Sequence, residues 1–279
     1  MRKVEAAAKD KKKKSSKKRR IRMRRIRRFL LFLLVVTGIV VFARSSFFIV
    51  EKIDVAGNKK YSKNELILQT GLIPGRNVFK MLGEKPKNLI SFRFNDLEQE
   101  IYDSMPYIKA VSVRPGLPAS IKIRVQERIP FAVLDREGEY LLIDKEGYVL
   151  EILDSKSEQL KKYFKIIGIS LDSFKLGQAV KFKGENQLVD LLSFCDLVNK
   201  NDKDSKIKLF GKINFIDLSD ISAISVDFDK RITVRFGDLE DVDYQISVFK
   251  HLLENNISEK QKGTLDFTKS SNPYFVPKN

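Results

Sequence analysis

The sequence predicts an α+β protein with a single N-terminal transmembrane helix, and three observations predict it. Residues 29–43 form an uninterrupted apolar run, FLLFLLVVTGIVVFA, preceded by a block of Lys and Arg. Beyond it, alternating stretches such as SIKIRVQ (120–126) are interleaved with stretches of helical period such as 185–199, the pattern of a mixed fold with strands and helices. The charge divides at residue 28. Of the formal +17, residues 1–28 hold 16 Lys and Arg against Glu5 and Asp10, which leaves 37 bases and 34 acids for the remainder. The expected organisation is a basic cytoplasmic tail (1–28), a transmembrane helix (29–46), a first exported unit (47–127), a second (128–268) and a short C-terminal tail (269–279).

The basic tail has almost nothing apolar to bury, so disorder is its expected state. Lys and Arg beside an apolar run resist translocation, which places the N-terminus in the cytoplasm and the bulk of the chain outside, in a single-pass type II arrangement. The same charges favour contact with anionic lipid headgroups rather than a specific nucleic acid. Fifteen apolar residues rise only about 22 Å as a helix. Snorkelling by Arg27, Arg28 and Arg44, and helical continuation to Phe48, give a span of sufficient length. The competing reading is a signal peptide cleaved after Ala43; Arg44 and the long basic region favour an uncleaved anchor.

The first exported unit opens with a strand in SFFIVEKIDVAGN, closed by Gly57-Asn58. Ser62 to Glu65 has the form of a capping box and Gly71 that of a helix stop, so a short helix covers 63–70. A loop rich in Gly and Pro follows, with one helical turn near 78–81. Asn95 starts a second helix, which ends near Ser104 before Pro106. Residues 108–114 and 120–126 then make a hairpin with Val111, Val113, Ile121, Ile123 and Val125 on its apolar face. The order is β-α-α-β-β.

The second unit begins with short strands at 131–134, 140–144 and 147–150, a helix within 156–164 and a buried strand in KIIGI. An amphipathic helix over 185–199 carries Leu188, Leu191, Leu192, Cys195 and Val198 on one stripe. Strands at 213–217, 223–228 and 232–236 follow, the last two joined at Asp229-Lys230. A helix at 241–255 and a late strand in GTLDFT (263–268) close the unit.

VEKIDVAGNKKYSKNELILQTGLIPGRNVFKM followed by MPYIKAVSVRPGLPASIKIRVQERIPFAVL resembles the bacterial cell-division family FtsQ/DivIB. The shared features are the V-x-G-N turn, the E-R-x-P junction (Glu127, Arg128, Pro130) and the GTLD ending. The resemblance implies that the first unit is a POTRA domain and the second a β domain. It also implies a non-catalytic scaffold enriched at the division septum. That scaffold would bind bitopic division proteins of the FtsL and FtsB/DivIC type and link them to septal peptidoglycan synthesis. The long C-terminal extension of many Gram-positive members is nearly absent.

No catalytic constellation is expected. His251 is the sole histidine and Cys195 the sole cysteine, which excludes an intramolecular disulfide and a Cys/His zinc cluster. No G-x-S-x-G, HExxH or P-loop pattern occurs, and neither metal nor cofactor is expected. Asp227 with Asp229, and Asp238, Glu240, Asp241 and Asp243, read as solvated turns and a helix N-terminus. Binding is the expected activity: a strand near the C-terminus leaves backbone groups at a sheet edge to which a partner can add its own strand. The contact is expected on Thr264, Leu265, Asp266, Phe267, Thr268 and Lys269, with Tyr274 and Phe275 as aromatic anchors. The alternative is an internal strand capped by the tail aromatics. An exported POTRA-bearing chaperone or transport component would predict several such units or a following barrel, and a secreted hydrolase would predict a mature N-terminus at Arg44.

Overall fold

The computed structural model describes residues 2–136, 138–183, 187–203, 205–220, 223–237, 240–269 and 273–278, with side chains from residue 22 onward. Asp238, Glu185 and the Ser-Ser-Asn of the C-terminal tail lie outside the described residues.

The first helix, α1 (Arg2–Ala43), is continuous over 42 residues. Where disorder is expected at 1–28 the backbone is helical, because Lys, Arg, Ala and Glu are good helix formers and no Gly or Pro interrupts them before the apolar run. Arg22–Ala43 is long and apolar enough to cross a membrane, with a mean hydropathy of 2.3 over its most apolar stretch. Phe29, Leu31, Phe32, Leu34 and Val41 are all exposed along it. The α-helix stops at Ala43 instead of continuing to Phe48; a separate 3₁₀ turn, Ser46–Phe48, follows.

The chain divides into two compact units, residues 1–99 with 111–125, and residues 100–110 with 126–279. The segment after α1 contains β1 (Lys52–Ala56), α2 (Lys63–Thr70), α3 (Val78–Gly83), α4 (Pro86–Ser91), α5 (Asn95–Ser104), β2 (Ile108–Gly116) and β3 (Ser120–Glu127). Its three strands form a sheet in the order β1-β3-β2, with β1 parallel to β3. This is the expected β-α-α-β-β order, with the helical turn expected near 78–81 present as α3 and one further short helix, α4, before α5.

Local signals fix α2. Ser62 Oγ accepts the Glu65 N–H at 3.2 Å, and Glu65 accepts the Ser62 N–H at 2.7 Å. Gly71 ends the helix in the left-handed conformation, at φ 61°. Asn77 caps α3 by accepting the Lys80 N–H, and Pro86 opens α4 where its missing N–H is harmless. Leu66, Val78, Leu82, Val113, Ile121 and Ile123 are fully or almost fully buried.

The second unit holds β4 (Pro130–Arg136), β5 (Glu139–Asp144), β6 (Val149–Leu153), α6 (Gln159–Lys162), β7 (Lys165–Ile167), β8 (Leu171–Ser173), β9 (Lys181–Phe182) and α7 (Gln187–Asp202). It continues with β10 (Ile213–Asp217), β11 (Ile224–Phe228), β12 (Ile232–Phe236), α8 (Val242–Asn255), β13 (Gly263–Asp266) and β14 (Tyr274–Pro277). Nine strands form one sheet in the order β14-β13-β12-β11-β10-β7-β4-β5-β6. The parallel pairs β7/β10 and β12/β13 each require a crossover, and α7 and α8 supply them. Both helices bury apolar side chains in the large core on that side of the sheet, among them Leu191, Phe194, Cys195, Ile246 and Phe249. A smaller cluster of Val133, Leu142 and Leu153 is joined by Leu160 and Tyr163 around α6. Asp229 and Lys230, at φ 54° and 56°, lie in the tight three-residue connection 229–231 between β11 and β12, closed by the Arg231 N–H donating to the Phe228 carbonyl at 3.1 Å.

Candidate functional site: a sheet edge and a buried junction

The C-terminal edge is built one strand further out than the sequence suggests. Thr264, Leu265 and Asp266 lie in β13, which pairs with β12 on one side and β14 on the other. β13 is therefore interior, and the edge strand is β14, in the segment expected to be a tail. Phe267 follows β13 and is buried; Thr268 and Lys269 follow it at the surface. Of the residues expected to contact a partner, Tyr274 is about half exposed on β14. Phe275 is opposite Leu265 and packs on the core.

Gly263 makes this arrangement possible. A Cβ there would meet the Phe275 ring at 2.6 Å and collide with the Val276 carbonyl, so β14 approaches β13 this closely only over a glycine. The Lys278 N–H donates to the Lys262 carbonyl at 2.9 Å. Alternation of an antiparallel ladder then turns the backbone groups of Val276 and Tyr274 toward β13, and those of Phe275 and Pro277 outward. Proline has no N–H. Within β14 the outward face thus presents two carbonyls and a single donor, and Pro273 just before the strand adds no other. The edge mostly accepts hydrogen bonds.

Asp266 anchors the turn that leads out of β13. Burial works against its charge, but hydrogen bonds from the Thr268 N–H at 2.8 Å and the Thr268 hydroxyl at 2.6 Å prevail and hold its carboxyl below the usual range. Arg235 lies 3.4 Å away on β12.

The junction residues explain themselves structurally. Pro130 is the first residue of β4, where no ladder N–H is needed. The Arg128 side chain is almost wholly buried; it donates to Asp144 at 2.7 Å and to Glu146 at 3.0 Å. Its guanidinium lies 3.3 Å from the centre of the Tyr148 ring, and the backbone N–H of Arg128 donates to the Tyr107 carbonyl at 2.6 Å. Burial alone would depress the Arg128 pKa; the hydrogen bonds to Asp144 and Glu146 raise it above its ordinary value. The second Asp144 oxygen accepts the N–H groups of Glu146 and Tyr148, both at 2.9 Å, and so shapes the β5–β6 turn. The motif is a clamp on that turn. Glu127, at the end of β3, is half-buried.

The remaining reactive groups stay apart. Cys195 is fully buried in α7, and burial pushes its thiol up to about 12. His251 is exposed on α8 beside Asn255. Asp243 binds Lys200 and Asn201 from α7, and Asp227 binds Asn214. Among the described residues no three His, Cys, Asp or Glu side chains converge as a metal site would require.

The family described as POTRA domain, FtsQ-type, matches residues 48–128. The chain is 27% identical over 229 residues to "Cell division protein DivIB" of Clostridium acetobutylicum, covering 82% of this chain and 83% of that one. It is 24% identical over 229 residues to "Cell division protein DivIB" of Clostridium tetani, covering 81% and 78%. A shorter similarity, 31% over 117 residues, joins it to "Cell division protein FtsQ" of Syntrophotalea carbinolica, covering 42% and 36%. The similarity to the DivIB proteins thus extends well beyond the 48–128 match.

Proposed function

We propose that this chain, a cell division protein of the FtsQ/DivIB family, acts as a non-catalytic scaffold that binds bitopic division proteins of the FtsL and FtsB/DivIC type outside the membrane. It links them to septal peptidoglycan synthesis. In this reading α1 crosses the cell membrane once, the basic N-terminus stays in the cytoplasm against anionic lipid, and both folded units face outward. The single observation that carries the binding reading is the position of β14: the outermost strand of the nine-stranded sheet among the described residues, with carbonyls that face away from β13.

A partner strand alongside β14 would donate its own N–H groups to those carbonyls. Tyr274 offers an exposed aromatic contact, while Thr264, Leu265, Asp266, Phe267, Thr268 and Lys269 set the position of β14 and the turn before it. Phe275 ties the edge to the core.

A photo-crosslinking residue in place of Tyr274, in growing cells, tests the proposal. Recovery of a small single-pass division protein is the expected result. Absence of any such adduct, together with normal septation after depletion of the chain, would overturn it. A tagged copy should form a midcell band rather than a uniform envelope signal.

A further inference from the structure

We infer that the α3–α4 end of the first folded unit docks on the outer surface of the membrane that α1 crosses, with phospholipid as the partner of Leu89, Ile90 and Phe92. The inference rests on the spanning role given to α1 above.

Backbone contacts put this end beside the point where α1 stops. The Val50 N–H donates to the Arg76 carbonyl at 3.0 Å, and the Gly75 N–H to the Val50 carbonyl at 2.8 Å, so the approach to α3 runs alongside the segment leaving α1. Asn77 fastens the two: its side-chain amide donates to the carbonyls of Ala43 at 3.0 Å and Ser45 at 2.9 Å. Ala43 is the last residue of α1, where carbonyls lack a partner within the helix, and Ser45 follows it in the turn, its carbonyl also accepting the Phe48 N–H at 3.4 Å. Aromatic contacts continue the connection. Phe42, in the last turn of α1, meets Phe48 at 5.2 Å between ring centres; Phe48 meets Phe79 of α3 at 4.9 Å, and Phe79 meets Phe92 at 6.1 Å.

What this end shows to its surroundings is apolar and basic together. Ile90 is 87% exposed on α4, with Leu89 beside it, and Phe47 is exposed in the turn after α1. Phe92 sits at φ 52°, a conformation unfavourable for a side chain of that size, and still makes its contact with Phe79. Of the five Lys and Arg in residues 72–93, Arg76, Lys85 and Arg93 are paired with Glu84, Asp96 and Glu98, while Lys80 and Lys87 are exposed, as is Arg44 at the end of α1. The β2–β3 turn lies at the same end, since the Glu51 N–H donates to the Ala119 carbonyl, and there Leu117 is half exposed. Exposed apolar side chains rimmed by cations, continuous with a membrane-spanning helix, have the chemistry of a surface seated among lipid headgroups.

The full-length chain in vesicles tests this. Single Phe42→Cys, Ile90→Cys and Asn64→Cys variants would be labelled with an environment-sensitive fluorophore, with buried Cys195 left in place. The vesicles are phosphatidylcholine with about one-third phosphatidylglycerol, carrying lipids spin-labelled high in the acyl chain. Labels at 42 and 90 should be quenched, and the label at 64, at the opposite end of β1, should not. Replacing Lys80 and Lys87 by Glu should reduce quenching at 90 about twofold or more without altering it at 42. Quenching at 42 with none at 90 overturns the inference and leaves the anchor intact. No quenching at 42 removes the anchor and the inference with it. Protection of position 90 by crosslinking to another protein's membrane segment, with no lipid quenching, also overturns it.

Discussion

Lys250 of α8 and Asp202 at the end of α7 close an ion pair of 2.7 Å in which both side chains are nearly buried. Lys250 also donates to the Asn201 carbonyl at 2.6 Å, and Asp202 accepts the N–H groups of Leu209 and Phe210 at 3.0 and 2.8 Å. One carboxylate thus gathers the end of a helix, the start of the next segment and a second helix. Burial opposes its charge, but the Lys250 hydrogen bond and the two backbone donors outweigh burial and lower its pKa.

The sign of the pH dependence follows. A carboxyl whose folded pKa lies below its unfolded value, about 3.9, contributes stability that is fully present above that value and is lost as pH falls through the folded pKa. Urea unfolding at a series of pH values should show the stability gap between the native chain and Asp202→Asn closing below about pH 4. A Lys250→Met variant, which leaves the carboxylate buried without its cation, should lose about 3–5 kcal/mol at neutral pH. A gap that persists undiminished to low pH would contradict the assignment.

Arg128→Met should destabilise the second unit by about 3–5 kcal/mol, because Asp144 would remain buried without its partner. Thermal unfolding of the chain in detergent would show it as a lowered transition. Arg128→Lys should recover only part of the loss, since an ammonium cannot place a planar cation over the Tyr148 ring while reaching both Asp144 and Glu146. The double replacement Arg128→Met with Asp144→Leu should be less harmful than Arg128→Met alone.

Gly263→Ala should release β14 from the sheet while leaving the core folded. The new methyl group would occupy space held by the Phe275 ring and the Val276 carbonyl. Hydrogen exchange at the inward-facing N–H groups of Tyr274 and Val276 should rise by at least about tenfold, the equivalent of about 1.4 kcal/mol of local protection. Exchange in β11 and β12 should not change. If the binding proposal holds, crosslinking from Tyr274 falls in the same variant.

Cys195 should resist alkylation in the native chain at neutral pH, because the nucleophile is the thiolate and burial pushes its pKa up to about 12. Iodoacetamide labelling followed by mass spectrometry should detect modification only after the chain is unfolded in urea. Native labelling at a rate near that of free cysteine would show that α7 opens far more readily than its packing implies.

Elements governed by neighbours in sequence were legible. The Ser62/Glu65 capping box and Gly71 fixed both ends of α2, and Asn95 with Pro106 bracketed α5. The turn expected near 78–81 is α3, capped by Asn77, whereas α4 was hidden in the same segment rich in Gly and Pro, although Pro86 is its start signal. Strands β8 and β9 were missed because two or three residues carry no measurable alternation. The C-terminal edge was displaced by one strand for a different reason. Which strand lies outermost depends on pairing across the whole sheet, and four residues of YFVP between prolines resemble an unstructured tail. Likewise the E-R-x-P motif marked a boundary, but nothing local to it revealed that Arg128 reaches Asp144 sixteen positions later.

The shortage of donors on β14 bears on how copies of this chain would meet through that edge. Two such edges brought side by side would offer each other carbonyls and, within each β14, a single N–H, so they could not zip into a continuous ladder. A foreign segment with an N–H at every outward position has no such handicap. On the binding proposal above, the prolines would therefore work as a valve on assembly: closed to pairing of like with like, and open to one complementary strand.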